Sequence, residues 1–235
     1  MKIGIIVAME EEIKRLTEEI SDSYTYEIAN QTFYDGTFSD QSATVVQAGI
    51  GKVNATIATA LLIQEFEVDV VINTGSAGSI TDGLSIGDLV IATSLSYHDA
   101  DNRGFGYEYG QIPQMPAEFM ADKPLGQMIE KAATPIGWHV QRGQIVTGDS
   151  FISDRDKIVE IKGHFPKAMV TEMEGAAVAQ TCHQFNTPFA VVRAISDTAD
   201  DEATVNFDEF VLLAGKRSAE LVLALMEDLK EKKEM

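Results

Sequence analysis

The chain has 235 residues, of which 45% are hydrophobic and 23% charged, so it holds enough apolar mass for a globular core. The net charge of −19 argues against nucleic acid and anionic membrane surfaces as partners. A single cysteine, Cys182, excludes an intramolecular disulfide and fits a reducing compartment. No apolar run reaches the ~18 residues of a membrane span, and the N-terminal run stops at three glutamates, so we expect a soluble, cytoplasmic protein.

The first half of the chain alternates short apolar runs with amphipathic ones. The predicted elements are a strand at 2–8, a helix at 10–20, a hairpin over 24–42, a strand at 43–48, a helix at 53–66, and strands at 69–73 and 87–93. The hairpin is predicted to take its turn residues from YDGTFSDQS. The run DVVIN at 69–73 is apolar throughout, which is typical of a strand covered on both faces.

Residues 97–115, YHDADNRGFGYEYGQIPQM, are rich in glycine and aromatic side chains and show no period. Loops of this length within a compact domain are usually functional or interfacial. We call this stretch the aromatic segment.

The second half of the chain continues the alternation of strands and helices. It predicts a helix at 122–133, strands near 139–146, a short helix after Asp154, a strand at 168–172, a helix at 174–185, a strand at 189–195 and a last helix at 206–229. Such alternation predicts an α/β fold over residues 1–235: a single domain with a central mixed, mostly parallel twisted sheet flanked by helices.

Ligands of such sheets bind beyond the carboxyl ends of the strands, so the residues that follow each strand are candidates for a site. The segments in question are AMEEE (8–12), AGIGK (48–52), NTGSAG (73–78), TGDSFISD (147–154), TEMEG (171–175) and RAISDTAD (193–200). They offer carboxylates, glycines that let a ligand approach the backbone, and an apolar wall at Phe151 and Ile152.

No metal or cofactor motif occurs in the sequence. The four histidines are scattered without the spacing of a zinc site, and GxSxG, Walker A and GxGxxG sequences are missing. We therefore predict no metal and no organic cofactor. Any chemistry must come from carboxylates and glycine-rich loops.

Six motifs then point to one family. AMEEE, INTGSAG, YHDAD…FGYEYGQ, TGDSFI, EMEGAA and RAISD follow one another at natural distances along the whole chain. The sequence resembles the bacterial 5′-methylthioadenosine/S-adenosylhomocysteine nucleosidases, of the purine nucleoside phosphorylase-like fold. The resemblance implies hydrolysis of the N-glycosidic bond of these two nucleosides, with 5′-deoxyadenosine as a further candidate substrate. Adenine and a 5-thioribose would be released, in methionine salvage and methyl-cycle recycling.

The resemblance assigns the catalytic roles to two carboxylates. Asp197 would protonate N7 of the leaving adenine, which requires a raised pKa, and Ser196 would orient it. Glu12 would orient and deprotonate the attacking water, so it must stay ionised. Purely structural interpretations exist for both, because Ser-Asp is common capping chemistry and Glu12 lies in the first turn of a helix.

The remaining implied residues would bind the substrate. Glu174 would accept hydrogen bonds from the ribose hydroxyls, with Met173 packed against the sugar. Arg193 would lie near the water, and because a buried arginine is rarely unpaired, we expect Glu12 or Glu174 as its partner. The other members of the predicted substrate-binding set are Met9, Ser76, Gly78, Phe151 and Ile152, which stack on or read the adenine or line the sugar, and Phe207, which closes over the ribose.

The aromatic segment would act in a homodimer. The resemblance implies that Phe105, Tyr107 and Pro113 come from the neighbouring subunit and close the alkylthio pocket. Asn102 departs from the family pattern, which has a small apolar residue there, so the preference between methylthio and homocysteinyl substituents stays open.

Three alternatives remain. A phosphorylase on the same scaffold would need several cations for phosphate, whereas few arginines are present and Glu12 would repel the anion. A nucleosidase acting on aminodeoxyfutalosine would use the same geometry. A non-catalytic nucleoside-binding module would not need Glu12, Glu174 and Asp197 together.

Overall fold

The computed structural model describes residues 1–197 and 203–234, except for the side chains of residues 203–209 and 231–234. Its strands are β1 (Ile3–Val7), β2 (Ser21–Ile28), β3 (Gln31–Phe38), β4 (Gln41–Gln47), β5 (Val70–Ser79), β6 (Leu89–Tyr97), β7 (Phe119–Met120), β8 (Val140–Thr147), β9 (Ala168–Glu172) and β10 (Phe189–Asp197). Its α-helices are α1 (Glu10–Glu19), α2 (Lys52–Gln64), α3 (Lys123–Ala133), α4 (Arg155–His164), α5 (Gly175–Phe185) and α6 (Ala203–Glu234).

The sheet is mixed and partly closed on itself. Strands β10, β6, β8, β9 and β5 pair in that order, and β5 pairs again with β10. Strands β1, β4, β3 and β2 extend the sheet from β5. The pairings of β1 with β4 and β5, of β5 with β10, and of β8 with β6 and β9 are parallel, whereas those of β3 with β2 and β4, β5 with β9, and β6 with β7 and β10 are antiparallel. The predicted α/β class with a mixed sheet between helices is confirmed.

Both faces of the central strands are covered. In β10, Val191 packs into the cluster that includes α2 and α5, whereas Val192 packs into the cluster that includes α1, α3 and α6. This two-sided burial explains the continuous apolar runs of the sequence, because neither face of these strands meets water. Across the described residues, no helix is both long and apolar enough to cross a membrane.

The predicted turn residues of the N-terminal hairpin were right only in part. Within YDGTFSDQS, residues 39–40 do form a turn, but YDGTF belongs to β3, and the turn between β2 and β3 lies at residues 29–30. All four turn residues have positive φ. Two-residue turns of this kind match the twist of paired strands. Gly36 is therefore not a turn residue: it lies where β3 passes β2, and a Cβ atom there would approach the Ser21 carbonyl oxygen to 2.6 Å.

Strand β5 is longer than predicted. It continues from the apolar run through TGSAG, because its neighbour β10 offers a continuous row of partners, with Gly75 opposite Arg193 and Ser76 opposite Ala194. Backbone pairing thus overrides the loop preference of a glycine-rich sequence. Strand β10 likewise runs to Asp197, so Asp197 ends a strand rather than beginning a loop.

Candidate active site

A cavity of about 330 Å³ opens where β1, β5, β9 and β10 end, beside the segments that follow β4 and β8. The sequence-predicted residues that line it are Met9, Glu12, Ser76, Gly78, Phe151, Ile152, Met173, Glu174, Arg193, Ser196 and Asp197. The side chain of Phe207 lies outside the described residues. One cavity therefore brings together residues from almost the whole length of the chain.

Glu12 lies in the first turn of α1 and is 2% exposed. Its Oε2 accepts hydrogen bonds from the backbone N–H groups of Ala8 (2.9 Å) and Met9 (3.1 Å). Its Oε1 accepts from the Ser76 N–H (3.0 Å) and the Ser76 hydroxyl (3.1 Å). The carboxylate therefore caps its own helix and also lines the cavity, and its catalytic role stays a prediction. Four donors suit a carboxylate that only accepts.

Gly75 makes room for this carboxylate. A Cβ atom at position 75 would lie 2.7 Å from Glu12 Oε1, well inside contact distance. Gly75 of INTGSAG therefore leaves space for the Glu12 carboxylate within β5, and does not form a turn.

Arg193 is 1% exposed and lies within β10. Its Nη2 donates to Glu172 Oε2 and to Asn73 Oδ1 (2.7 Å), and lies 3.7 Å from Glu174 Oε2. The predicted partner was Glu12 or Glu174; Glu174 is at ion-pair distance, but the direct partner is Glu172, which the prediction missed. The signal available in the sequence was the second carboxylate of TEMEG, which lies two residues before Glu174.

Glu174 is buried directly before α5, and its Oε1 accepts from the Gly51 N–H at 2.9 Å. Burial, and next the negative charge of Glu172, raise its pKa to about 7, against the opposing effect of Arg193. This carboxyl therefore changes charge near neutral pH.

The raised pKa predicts a pH-dependent stability. The unfolded chain loses this proton near the ordinary value of 4.5, whereas the folded chain keeps it to about 7. Folding therefore binds a proton between these values, and the free energy of unfolding falls as the pH rises through this window. Between about pH 4.5 and pH 8, we expect the free energy of unfolding of the wild-type chain to fall by on the order of 3 kcal/mol more than that of Glu174→Gln, as measured by urea unfolding. Glu11→Gln, on the exposed side of α1, should keep the wild-type pH dependence.

Asp197 is 1% exposed, and the Ser196 hydroxyl donates to its Oδ2 at 2.8 Å. Ser196 therefore contacts the carboxyl group that it was predicted to orient. Ile152 is buried in a small apolar cluster, while Phe151 lines the cavity and is 44% exposed. Ile152 thus serves as core and as cavity wall at once.

Comparisons with known proteins agree along the full chain. The sequence model of the Phosphorylase superfamily matches residues 2–227. A 5′-methylthioadenosine/S-adenosylhomocysteine nucleosidase of an Exiguobacterium species is 47% identical over 98% of this chain and 100% of its own. The chain belongs to this nucleosidase family of the phosphorylase superfamily.

Solved structures of the superfamily extend the comparison. The nucleosidase of Neisseria meningitidis, in complex with methylthio-immucillin-A, is similar with a TM-score of 0.95 and 43% identity over 97% of this chain and 99% of that one. A futalosine hydrolase of Helicobacter pylori is similar with a TM-score of 0.93 and 32% identity over 97% of this chain and 98% of that one. The fold is shared by both, and the higher identity lies with the methylthioadenosine nucleosidases.

In this nucleosidase chain the aromatic segment is held down by Tyr109. Its ring stacks on His164 with centroids 3.8 Å apart, and its hydroxyl donates to the His98 carbonyl oxygen at 3.0 Å. The Asn102 amide donates to the Gln111 carbonyl oxygen at 2.9 Å, so it braces the segment from within. The residues predicted to close a neighbour's pocket are Phe105, Tyr107 and Pro113, and none of them lines this chain's cavity.

Proposed function

We propose that this enzyme hydrolyses the N-glycosidic bond of 5′-methylthioadenosine and S-adenosylhomocysteine, releasing adenine and a 5-thioribose. The observation that carries the proposal is Glu12, a buried carboxylate held by Ser76 at the wall of the cavity. A carboxylate in this position can orient the attacking water and deprotonate it. The full-length relatives of that name support the substrate class.

The charges of the cavity disfavour a phosphorylase. Among the described lining residues, Arg193 is the only cation, and it is bound by Glu172 with Glu174 at 3.7 Å. A phosphate dianion would meet Glu12 and Glu174 with no free guanidinium to hold it. Water carries no charge and meets no such repulsion.

The reaction then divides between two carboxyl groups that line the cavity. Asp197 donates a proton to N7 of adenine, so that the base leaves as a neutral molecule. As the glycosidic bond breaks, the sugar gains oxocarbenium character, and Glu12 takes a proton from the water that attacks it. Glu174 accepts hydrogen bonds from the ribose hydroxyls, Met173 packs on the sugar and Phe151 stacks on the base.

The test is adenine release by the purified chain in phosphate-free buffer. We expect turnover of 5′-methylthioadenosine and S-adenosylhomocysteine without added phosphate. Turnover that requires phosphate would instead establish a phosphorylase. Aminodeoxyfutalosine belongs in the same panel, and a higher kcat/KM for it than for methylthioadenosine would assign the chain to that alternative.

We also propose a homodimer in which the aromatic segment completes the partner's cavity. Phe105 is 84% exposed, so its ring is available to pack against another molecule. Tyr109 and Asn102 brace the segment so that Phe105 is presented outward. In this arrangement residues 1–235 act as one nucleosidase domain. We place the enzyme in a reducing compartment such as the cytoplasm, because its single cysteine is buried and unpaired with another cysteine.

Replacing Phe105 by alanine should weaken substrate binding more than catalysis. The ring would contact the 5′-alkylthio group, which is remote from the bond that breaks, so its loss removes binding that is equal in ground and transition states. We expect KM for methylthioadenosine to rise about 10-fold with kcat little changed. Val159→Ala, which truncates an exposed apolar residue of α4, is the matched control and should leave KM unchanged. An unaltered KM in Phe105→Ala would remove this residue from the pocket.

A further inference from the structure

Glu172 is the buried last residue of β9, and both of its carboxylate oxygens accept hydrogen bonds. Its Oε2 accepts from Arg193 Nη2, from the Glu174 N–H at 3.1 Å and from the Gly175 N–H at 2.7 Å. These donors belong to different elements, since Arg193 lies in β10 while Glu174 precedes α5 and Gly175 begins it. Glu172 therefore joins the guanidinium to the start of that helix.

The other oxygen of Glu172 completes the attachment through Thr147. Glu172 Oε1 accepts from the Thr147 hydroxyl, and Thr147 Oγ1 accepts from the Ala176 N–H at 2.8 Å. Three successive N–H groups at the start of α5 are thus bound directly or through one hydroxyl, where a helix has no partners of its own. These bonds fix the backbone at Glu174 and therefore the orientation of its side chain.

We propose that Glu172 is a positioning residue for the nucleosidase reaction, a role that presupposes the function proposed above. It binds Arg193 and the first turn of α5 together, and so keeps the Glu174 carboxylate available to the ribose. Without its charge, Arg193 would keep Asn73 as a neutral partner, and its nearest anion would be Glu174 at 3.7 Å. A buried guanidinium requires a counter-ion, so it would draw Glu174 away from the sugar.

The same arrangement affects the charge of Glu174. The charged groups that face it are Glu172 from β9, Arg193 from β10 and Glu12 from α1. After burial, the charge of Glu172 contributes most to raising the pKa of Glu174, whereas Arg193 lowers it. Removing the charge of Glu172 while keeping its shape should therefore lower this pKa. A general loss of stability would not have that effect.

The experiment measures kcat and KM for methylthioadenosine across about pH 5–9 in Glu172→Gln. We expect kcat/KM to fall about 10- to 100-fold, and the acidic limb of its pH profile to move down by about one pH unit. The limb reports Glu174, because a protonated carboxyl accepts fewer hydrogen bonds from the ribose. Glu172→Asp keeps the charge and should keep the limb near its wild-type position, even with a lower rate.

Asp122→Ala is the control for stability alone. Asp122 caps α3 through the Leu125 N–H at 2.7 Å and does not line the cavity, so its loss should cost about 1 kcal/mol of stability and leave the pH profile unchanged. If the acidic limb of the kcat/KM profile of Glu172→Gln lies at the same pH as in the wild-type chain, the proposal is overturned.

If Glu172→Gln does not fold, Thr147→Val decides the question. It keeps the volume and the charge of the site but removes the hydroxyl that joins Glu172 to α5. We expect kcat/KM to fall about 10-fold relative to Asp122→Ala, and an unchanged kcat/KM would overturn the proposal. Failure of the proposed function would look different, because the wild-type chain itself would then release no adenine.

Discussion

Replacing Asp197 by asparagine should lower kcat for methylthioadenosine by roughly 10³-fold, which is about 4 kcal/mol of activation free energy. The amide keeps the shape of the side chain, and its oxygen can still accept from the Ser196 hydroxyl, which lies 2.8 Å from the native carboxylate. It has no acidic proton to give to N7, so adenine would have to leave as an anion. Substrate binding should change by no more than about threefold.

The measurement combines single-turnover adenine release with calorimetric binding of methylthioadenosine to the slow variant. Asp122→Asn makes the same chemical change at the N-terminus of α3, outside the cavity, and should keep wild-type kinetics. Asp197→Asn with kcat within a few-fold of wild type would remove Asp197 from the acid role. Loss of binding together with kcat would make it a binding residue instead.

Replacing Glu12 by glutamine should lower kcat by about 10²- to 10⁴-fold with a smaller change in KM, because the amide cannot take a proton from water. It should also destabilise the fold. The carboxylate accepts from two donor pairs, the backbone N–H groups of Ala8 and Met9 and the two groups of Ser76. An amide must turn its NH₂ group toward one pair, which leaves buried donors without an acceptor at about 1–3 kcal/mol.

These two effects can be separated by measuring kcat and the free energy of unfolding on the same preparation. Glu11→Gln makes the same substitution one residue earlier, on an exposed position of the same helical turn, and should change neither quantity by much. Full activity in a destabilised but folded Glu12→Gln would show that Glu12 is a structural cap only. A loss of kcat in Glu12→Gln, measured well below the unfolding temperature of that variant, would support the role of Glu12 as the base.

The catalytic candidates could be named from the sequence because each lies in a short motif at the end of an apolar run. Hydrophobic period is a local property, so it located β1, β9 and β10 within two residues and the start of β5 within one. Glu12, Glu174 and Asp197 lie at or shortly after the ends of those runs. Strands β1 and β10 run parallel to β5, so their carboxyl ends meet at one edge, whereas β9 is antiparallel to β5 and reaches this edge because it pairs with the last residues of β5. The family resemblance then separated them from ordinary capping residues, which periodicity alone could not do.

The sequence by itself therefore determined the α/β class, the family and most of the residues around the cavity. Only the tertiary structure decided that Arg193 pairs directly with Glu172, that TGSAG continues a strand, and that the pKa of Glu174 lies near 7. The reason is physical: an ion pair depends on distances across the sheet, and a pKa depends on burial by many elements at once. Neither quantity is encoded in any one stretch of the chain.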